Sequence, residues 1–511
     1  MLLVVVVDSV MEQPLGRRSL PISMRGAGRQ PDRRDADAIR AAAYAQRGRR
    51  RRVPPPASTL PHVQRVYAEL DRSVAYFPQT TNSSDAARIV SDTLSHSYGL
   101  ALLNGRLFAH EGADLKTIRQ FRLILEAADR RRVPNVVVTH NAASDGRCAT
   151  RCADCSHGSH ERDRGEHRLP STLIAKKGGF DERCGVLVPN PYFGTYRERT
   201  NSTGRLVKTP WMRRQNMAFW RGRLIEPGKP CVPGKRCARD PNLCEGNLAR
   251  FEGLSLTLRH PDLFDVKALS IDKSWTDKAA LRNRSCLLGS FATKISKKLH
   301  RITEPKHRPH SYYARFKMLQ HFPGSTKGSY SRNLNHLWST DAVILIWKHA
   351  AVEHYYRGLE LGATHLDVDL ASAPAAARAV LGDAALAERL RAGARAVVRD
   401  LVCPECLETY LAAALGKIRA RHGQDMVLDD ASSLRAALSG ANCSGLVQYT
   451  QQHPGPEDTQ LGLHKQIERR VRISPLPAAT MIRDGEDPAC AALVEAAFPE
   501  LVDMRRVEDA S

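Results

Sequence analysis

The 511-residue chain lacks any run of about twenty apolar residues, the length a helix needs to cross a bilayer. Its opening, MLLVVVVDSV, has six apolar residues, Leu2 to Val7, before Asp8. A secretory signal core needs about 7–15, so this segment reads as a fragment of one or as a start that is not the natural one. Cysteine is scarce, twelve in the whole chain, which excludes a small disulfide-built scaffold. There is no internal repeat. Acidic residues are few, 54 against 77 Lys and Arg, for a net charge of +23. What is there in ordinary amount is hydrophobic residue, 42%, enough for two or three domains with a sizeable core.

Much of the charge is local. Residues 17–52 hold twelve Arg against three Asp and end in RGRRRR. Such an arm could bind nucleic acid or an anionic membrane, form a juxtamembrane stem, or reflect an Arg-rich composition that recurs around residues 374–400. We read residues 1–57 as a disordered basic arm without a specific ligand, with RRVPPPAS as the linker into the folded part. No nucleic-acid partner is expected. Asn82, Asn201, Asn283 and Asn442 each head an N-x-[ST] sequon, which permits a lumenal address.

From Pro61 the pattern is regular. HVQRVYAELDRSVAYF has the spacing of an amphipathic helix, and LALLNGRLFAH that of a hairpin turning at Asn104-Gly105. The helical LKTIRQFRLILEAADRR precedes PNVVVTH, a short buried strand; that succession marks an α/β unit. Residues 142–180 carry little periodicity and read as an inserted Cys/His-rich loop. Cys148, Cys152, Cys155, His157 and His160 have zinc-like spacing, with disulfides or loose cysteines as the favoured alternative. GVLVPNPYF is a strand broken at Pro189-Asn190-Pro191. A second α/β region begins near Trp211, with MAFWRGRL as a strand, a Cys/Pro/Gly-rich insertion, and NLARFEGLSLTLRH as a helix. AVILIW reads as a buried parallel strand and residues 374–422 as two long helices. Residues 426–511 show no clear pattern.

Between FKMLQHF and AVILIW lies a turn rich in small and cationic residues: Gly324, Ser325, Thr326, Lys327, Gly328, Ser329, Ser331 and Arg332. Backbone N–H groups there can approach an anion closely, Lys or Arg supplies charge, and a helix expected from about Asn333 would point its N-terminus at the same place. The spacing is not that of a Walker loop. A polar surface turn is the alternative.

With these blocks in order, residues 60–422 resemble the family 90 glycosyltransferases, which contain Rumi-type protein O-glucosyl- and O-xylosyltransferases and fungal capsule-associated xylosyltransferases. RRVPNVVVTHNAASD, VLVPNPYF, NMAFWRG, RFKMLQHFPGSTKGSYSRNLNHLW, AVILIWKHAAVEHYYRGLELGATHLDVD and CLETYLAAAL carry the resemblance. It implies an α/β, GT-B-like fold: two facing Rossmann-like domains, acceptor side 58–205 and UDP-sugar side 206–425, with 426–511 unassigned. It implies an inverting O-glycosyltransferase of the endoplasmic reticulum or Golgi lumen. The enzyme would carry glucose or xylose from UDP-glucose or UDP-xylose to a protein or glycan hydroxyl, with no cofactor and no metal. Thr364 to Asp369 contains D-V-D, which reads as an alternating strand. A missing or truncated N-terminal anchor would leave room for membrane association.

The resemblance also assigns roles. Arg221 and Gly222 in FWRG fall where the family contacts the diphosphate; a solvated surface Arg is the alternative. Gly324, Ser325, Lys327, Ser331 and Arg332 form the nucleotide loop, longer here than in Rumi-type members, and Pro323 stands where some members carry Arg. Arg315 and Lys317 match basic positions of the preceding block, with helix-surface charge as the alternative. Glu353 falls at a conserved acid suited to ribose hydroxyls, or is a helix cap. The family's catalytic Asp aligns with Asn141, an amide that cannot accept a proton at neutral pH. Asp145 and His140 are the replacements, Asp145 preferred. The alternative is a catalytically inactive member that binds glycans or proteins.

Overall fold

The structure is a computed structural model describing residues 60–111, 133–141, 169–176, 180, 185–190, 209–224, 245–271, 297–306, 308–324, 334–349, 351–451, 471–480, 482–483 and 486–499. The basic arm, the helical segment around residues 115–131, the Cys/His stretch 148–160 and residues 325–333 lie outside these. Ala57–Ser511 form one unit.

Helix α1, Pro61–Ala75, starts on a proline, whose missing N–H costs nothing in the first turn, and buries Val63, Val66, Leu70 and Val74. Helix α2, Ser83–Ser95, is capped by Asn82, whose Oδ1 accepts from the Asp85 N–H at 2.8 Å. Strands β1, Gly99–Leu103, and β2, Arg106–His110, form the expected hairpin. Asn104 (φ 47°) and Gly105 (φ 73°) are both left-handed, as the tightest hairpin turn demands. β3, Val136–Asn141, pairs antiparallel with β1; β4, Ser171–Leu173, and β5, Val186–Leu187, then follow in parallel. The inserted loop expected over 142–180 is therefore shorter than its pattern indicates: β4 is too short for alternation to register.

The second sheet is wholly parallel. It comprises β6, Gln215–Leu224; β7, Phe264–Ile271; β8, Phe316–His321; β9, Val343–Trp347; and β10, Leu366–Val368, in the order β10-β9-β8-β6-β7. Helix α3, Glu245–Arg259, connects β6 to β7, and the short α4, Leu334–Leu337, precedes β9. Counted within the sheet, the order is 2-1-3-4-5, so the winding reverses between β6 and β8. One face packs Trp220, Phe264, Phe322 and Trp347 with Phe251 of α3 and with helices α5, Ala373–Gly382, and α6, Ala384–Asp400. Three helices, not two, occupy 373–421. Asp383 separates α5 from α6 and caps the latter through the Leu386 N–H at 2.9 Å.

Helix α7, Pro404–Arg421, follows a Cys403–Cys406 disulfide and returns to the first lobe, where Tyr410 donates to the Leu187 carbonyl at 3.0 Å. The patternless C-terminal region also belongs there. Helices α8, Asp425–Leu428, and α9, Ala431–Ala437, with α10, Pro488–Ala497, cover the hairpin face through Val427, Leu434 and Leu493, against Val90, Phe108 and Val137. Strand β11, Leu446–Gln451, pairs with β2 and with β12, Val471–Pro475, giving the order β12-β11-β2-β1-β3-β4-β5. A Cys443–Cys490 disulfide ties this return.

The protein is thus mixed α/β, with one mixed and one parallel sheet, compatible with a Rossmann-like fold. In the first sheet β1, β2, β11 and β12 pair antiparallel, the β1–β2 hairpin as its sequence indicates and β11 and β12 from the stretch without a pattern. One apolar core runs through both sheets, from Leu102 and Val138 to Phe219, Leu319 and Ile344. Lys176, beyond β4, and Val352, beyond β9, exchange backbone hydrogen bonds of 3.0 and 2.8 Å, so the carboxyl edges of the sheets meet. Among the described residues no helix is long and apolar enough to cross a membrane.

Candidate functional site

Open parallel sheets bind ligands beyond the carboxyl ends of their strands, where the winding reverses. In this sheet that place lies between the ends of β6 and β8. Arg250 of α3 spans it: Nε donates to the Pro323 carbonyl at 3.0 Å and Nη1 to the Arg223 carbonyl at 2.8 Å, with the guanidinium 5.6 Å from the Trp220 ring centre. The residue is 8% exposed, and among the described residues no carboxylate pairs with it. Burial draws its pKa down to about 10, so it stays charged at neutral pH. Among the described residues its partners are carbonyls, not the counter-ion that buried charges normally have.

Two imidazoles stand at the neighbouring strand ends. His321 closes β8 and is fully buried, and among the described residues neither ring nitrogen has a hydrogen-bond partner. His349 follows β9, with its ring centre 5.9 Å from that of His321. Its Nδ1 accepts from the Ala351 N–H at 3.2 Å, which leaves the proton on Nε2, and among the described residues Nε2 has no partner. Burial holds His349 down at about 4 and His321 well below the usual imidazole range, where His349, Arg250 and His365 add repulsion. Both rings are neutral at pH 7 and present N–H donors.

Arg221 is placed differently from the expectation. Its guanidinium donates to Asp265 Oδ1 and Oδ2 at 3.0 and 2.8 Å, to Glu304 Oε2, and to the Trp220 and Asp265 carbonyls. All its donor nitrogens are engaged inside the protein, and Glu304 is further held by Arg308. It is a buried ion-pair centre. Gly222 keeps room for the Trp220 ring, since a Cβ there would lie 2.2 Å from a ring carbon. Gly324 is buried just beyond β8, beside the Arg250 contact at Pro323. Ser325, Lys327, Ser331 and Arg332 lie outside the described residues. Arg315 and Lys317 sit at the amino end of β8, roughly 23–30 Å of extended chain from Gly324. They lean on Tyr312 and Trp211 instead, at 5.0 and 5.4 Å.

In the first lobe, His140 is buried in β3, its Nδ1 2.9 Å from Thr172 Oγ1, and burial pushes it down to about 3. An inward ring of that kind is a sheet-packing residue. Asn141 ends β3 opposite Leu173, at the carboxyl edge. Asp145 lies outside the described residues. Glu353 is fully buried where the lobes meet, with Asn190 Nδ2 donating to its Oε2 and Asn335 Nδ2 donating to Asn190 Oδ1 at 3.1 Å. Desolvation raises its pKa to about 8. In D-V-D, Asp367 pairs with His365 at 3.2 Å and Asp369 with Lys348 at 2.7 Å.

Arg250, His321 and His349 were not singled out by sequence. Arg250 sits in an apolar helix and the histidines at the ends of apolar strands, so charge or imidazole amid buried positions was the available signal. No known protein-family model and no curated protein matches the chain.

Proposed function

We propose that the protein is a UDP-sugar-dependent O-glycosyltransferase of GT-B-like build, carrying glucose or xylose to a protein or glycan hydroxyl. The observation that carries the reading is Arg250, a buried guanidinium to which no described residue brings a carboxylate, fixed on the carbonyls of Arg223 and Pro323 across the reversal point. A diphosphate there would supply the missing counter-charge. As the glycosidic bond breaks, negative charge grows on the departing phosphate, and a preorganised guanidinium stabilises it without reorganising. The meeting of the two carboxyl edges supports an acceptor approaching from the first lobe.

The test is a UDP-sugar screen with mass-spectrometric product detection, alongside calorimetric UDP binding. Wild type is expected to bind UDP and to turn over UDP-glucose or UDP-xylose. Arg250→Ala is expected to lose at least tenfold in binding, the worth of one charge-assisted hydrogen bond. Undiminished binding by that variant removes the assignment.

A second reading, a family member that binds without transferring, is favoured by the first lobe. Asn141 is an amide, and His140 is buried with its pKa pushed down to about 3, too weak a base and closed to an acceptor, so neither serves as the base. UDP binding with no product from any donor, together with an inert Asp145→Asn substitution, would select it.

A further inference from the structure

We propose that His321 and His349 complete the Arg250 site as an anion-binding cluster whose occupation takes up one proton from solvent. The proposal rests on the sugar-nucleotide reading only for its choice of probe. Its ground is geometric. Three nitrogen-bearing side chains from different elements converge on the carboxyl ends of β8 and β9: Arg250 from α3, His321 from β8 and His349 from the following loop. Among the described residues, His321 has both ring nitrogens, and His349 its Nε2, buried without a partner. A buried polar nitrogen left unbonded costs stability, and such groups in native proteins call for a ligand, ion or water.

The charges around the pair fix the sign of the linkage. His321 faces His349, Arg250 and His365, all of which oppose its protonation. His349 faces Asp367, which favours protonation but is outweighed by burial. Asp367 is itself bonded to His365, and the adjacent Lys348 is paired with Asp369. Without a bound anion both rings stay neutral. A diphosphate brings negative charge against them and raises their proton affinity, so a proton from solvent adds to one ring nitrogen. No other bond changes. Affinity must then rise as pH falls, by up to about tenfold per unit for one proton.

Calorimetry on the full chain tests this, with UDP-glucose and inorganic pyrophosphate as probes. UDP-glucose has no phosphate ionisation between pH 5 and 8, so any proton taken up in that range belongs to the protein. Uptake is read from the binding heat in two buffers of different ionisation enthalpy. Wild type should take up close to one proton. His321→Phe, which keeps a ring but no nitrogen, and His349→Gln should each weaken pyrophosphate binding roughly tenfold, and His321→Phe should lose the uptake. If His321→Phe melts before it can be titrated, the partly exposed His349→Gln carries the same comparison. Unchanged affinity and uptake in the variants, no uptake by wild type, or no binding of either probe would overturn the proposal. Histidine-dependent pyrophosphate binding without UDP-glucose binding would uphold the cluster and remove the sugar-nucleotide reading.

Discussion

Asn190, at the end of the first lobe's parallel strands, donates through Nδ2 to the buried carboxyl of Glu353 in the second lobe. Among the described residues the other oxygen of Glu353, Oε1, has no hydrogen-bond partner. A carboxyl so enclosed is more stable protonated than ionised, and its pKa rises to about 8.

The pH dependence of stability follows from this. Between the usual carboxyl range near 4.5 and about 8, the native protein keeps a proton that the unfolded chain has released. Stability therefore falls as pH rises through that window. Glu353→Gln mimics the neutral form and should flatten the decline. Thermal melts at pH 5 and pH 8.5 should show a smaller drop in Tm for the variant; parallel curves would refute the assignment.

Arg221 and Arg250 should separate cleanly. Arg221→Ala strands Asp265 and Glu304, although these keep Lys267 and Arg308. The expected cost is about 3 kcal/mol of stability, with UDP affinity per folded molecule retained. Arg250→Ala should do the reverse, losing affinity with little change in Tm. Urea denaturation and calorimetry on both variants decide it.

Gly222→Ala should destabilise by about 1–3 kcal/mol. The added methyl meets the Trp220 ring, which is itself buried against Phe322 at 5.2 Å between ring centres. Trp220→Phe in the same chain should recover part of the loss. A Gly222→Ala variant with wild-type denaturation would show that the ring can move aside.

The Cys443–Cys490 bond closes a loop spanning 47 positions and holds α10 to the first lobe. Replacing both residues with Ser should cost about 2–4 kcal/mol. Dithiothreitol should lower the Tm of wild type and leave the double variant unchanged. Equal sensitivity of the two proteins would point to the Cys403–Cys406 bond instead.

Much of the architecture was legible in the chain because local patterns act locally. The Asn104-Gly105 turn, the apolar spacing of α1, and the run Val343–Trp347 each specify their element from a few neighbouring residues. Beyond the β1–β2 hairpin, the make-up of the first sheet was not legible. Strands β4 and β5 are three and two residues long, β11 finds its place only by pairing with β2 from more than 300 residues away, and β12 only by pairing with β11.

By itself the sequence determined the β1–β2 hairpin, helix α1, strand β9 and the position of FWRG on a strand, since periodicity and turn chemistry are properties of adjacent residues. Only the tertiary structure decided which arginine meets carboxylates among the described residues. Arg221 and Arg250 are alike in one-letter code. The first lies beside Asp265 and Glu304, and the second lies between two carbonyls, because parallel pairing and helix packing set each side chain's electrostatic surroundings.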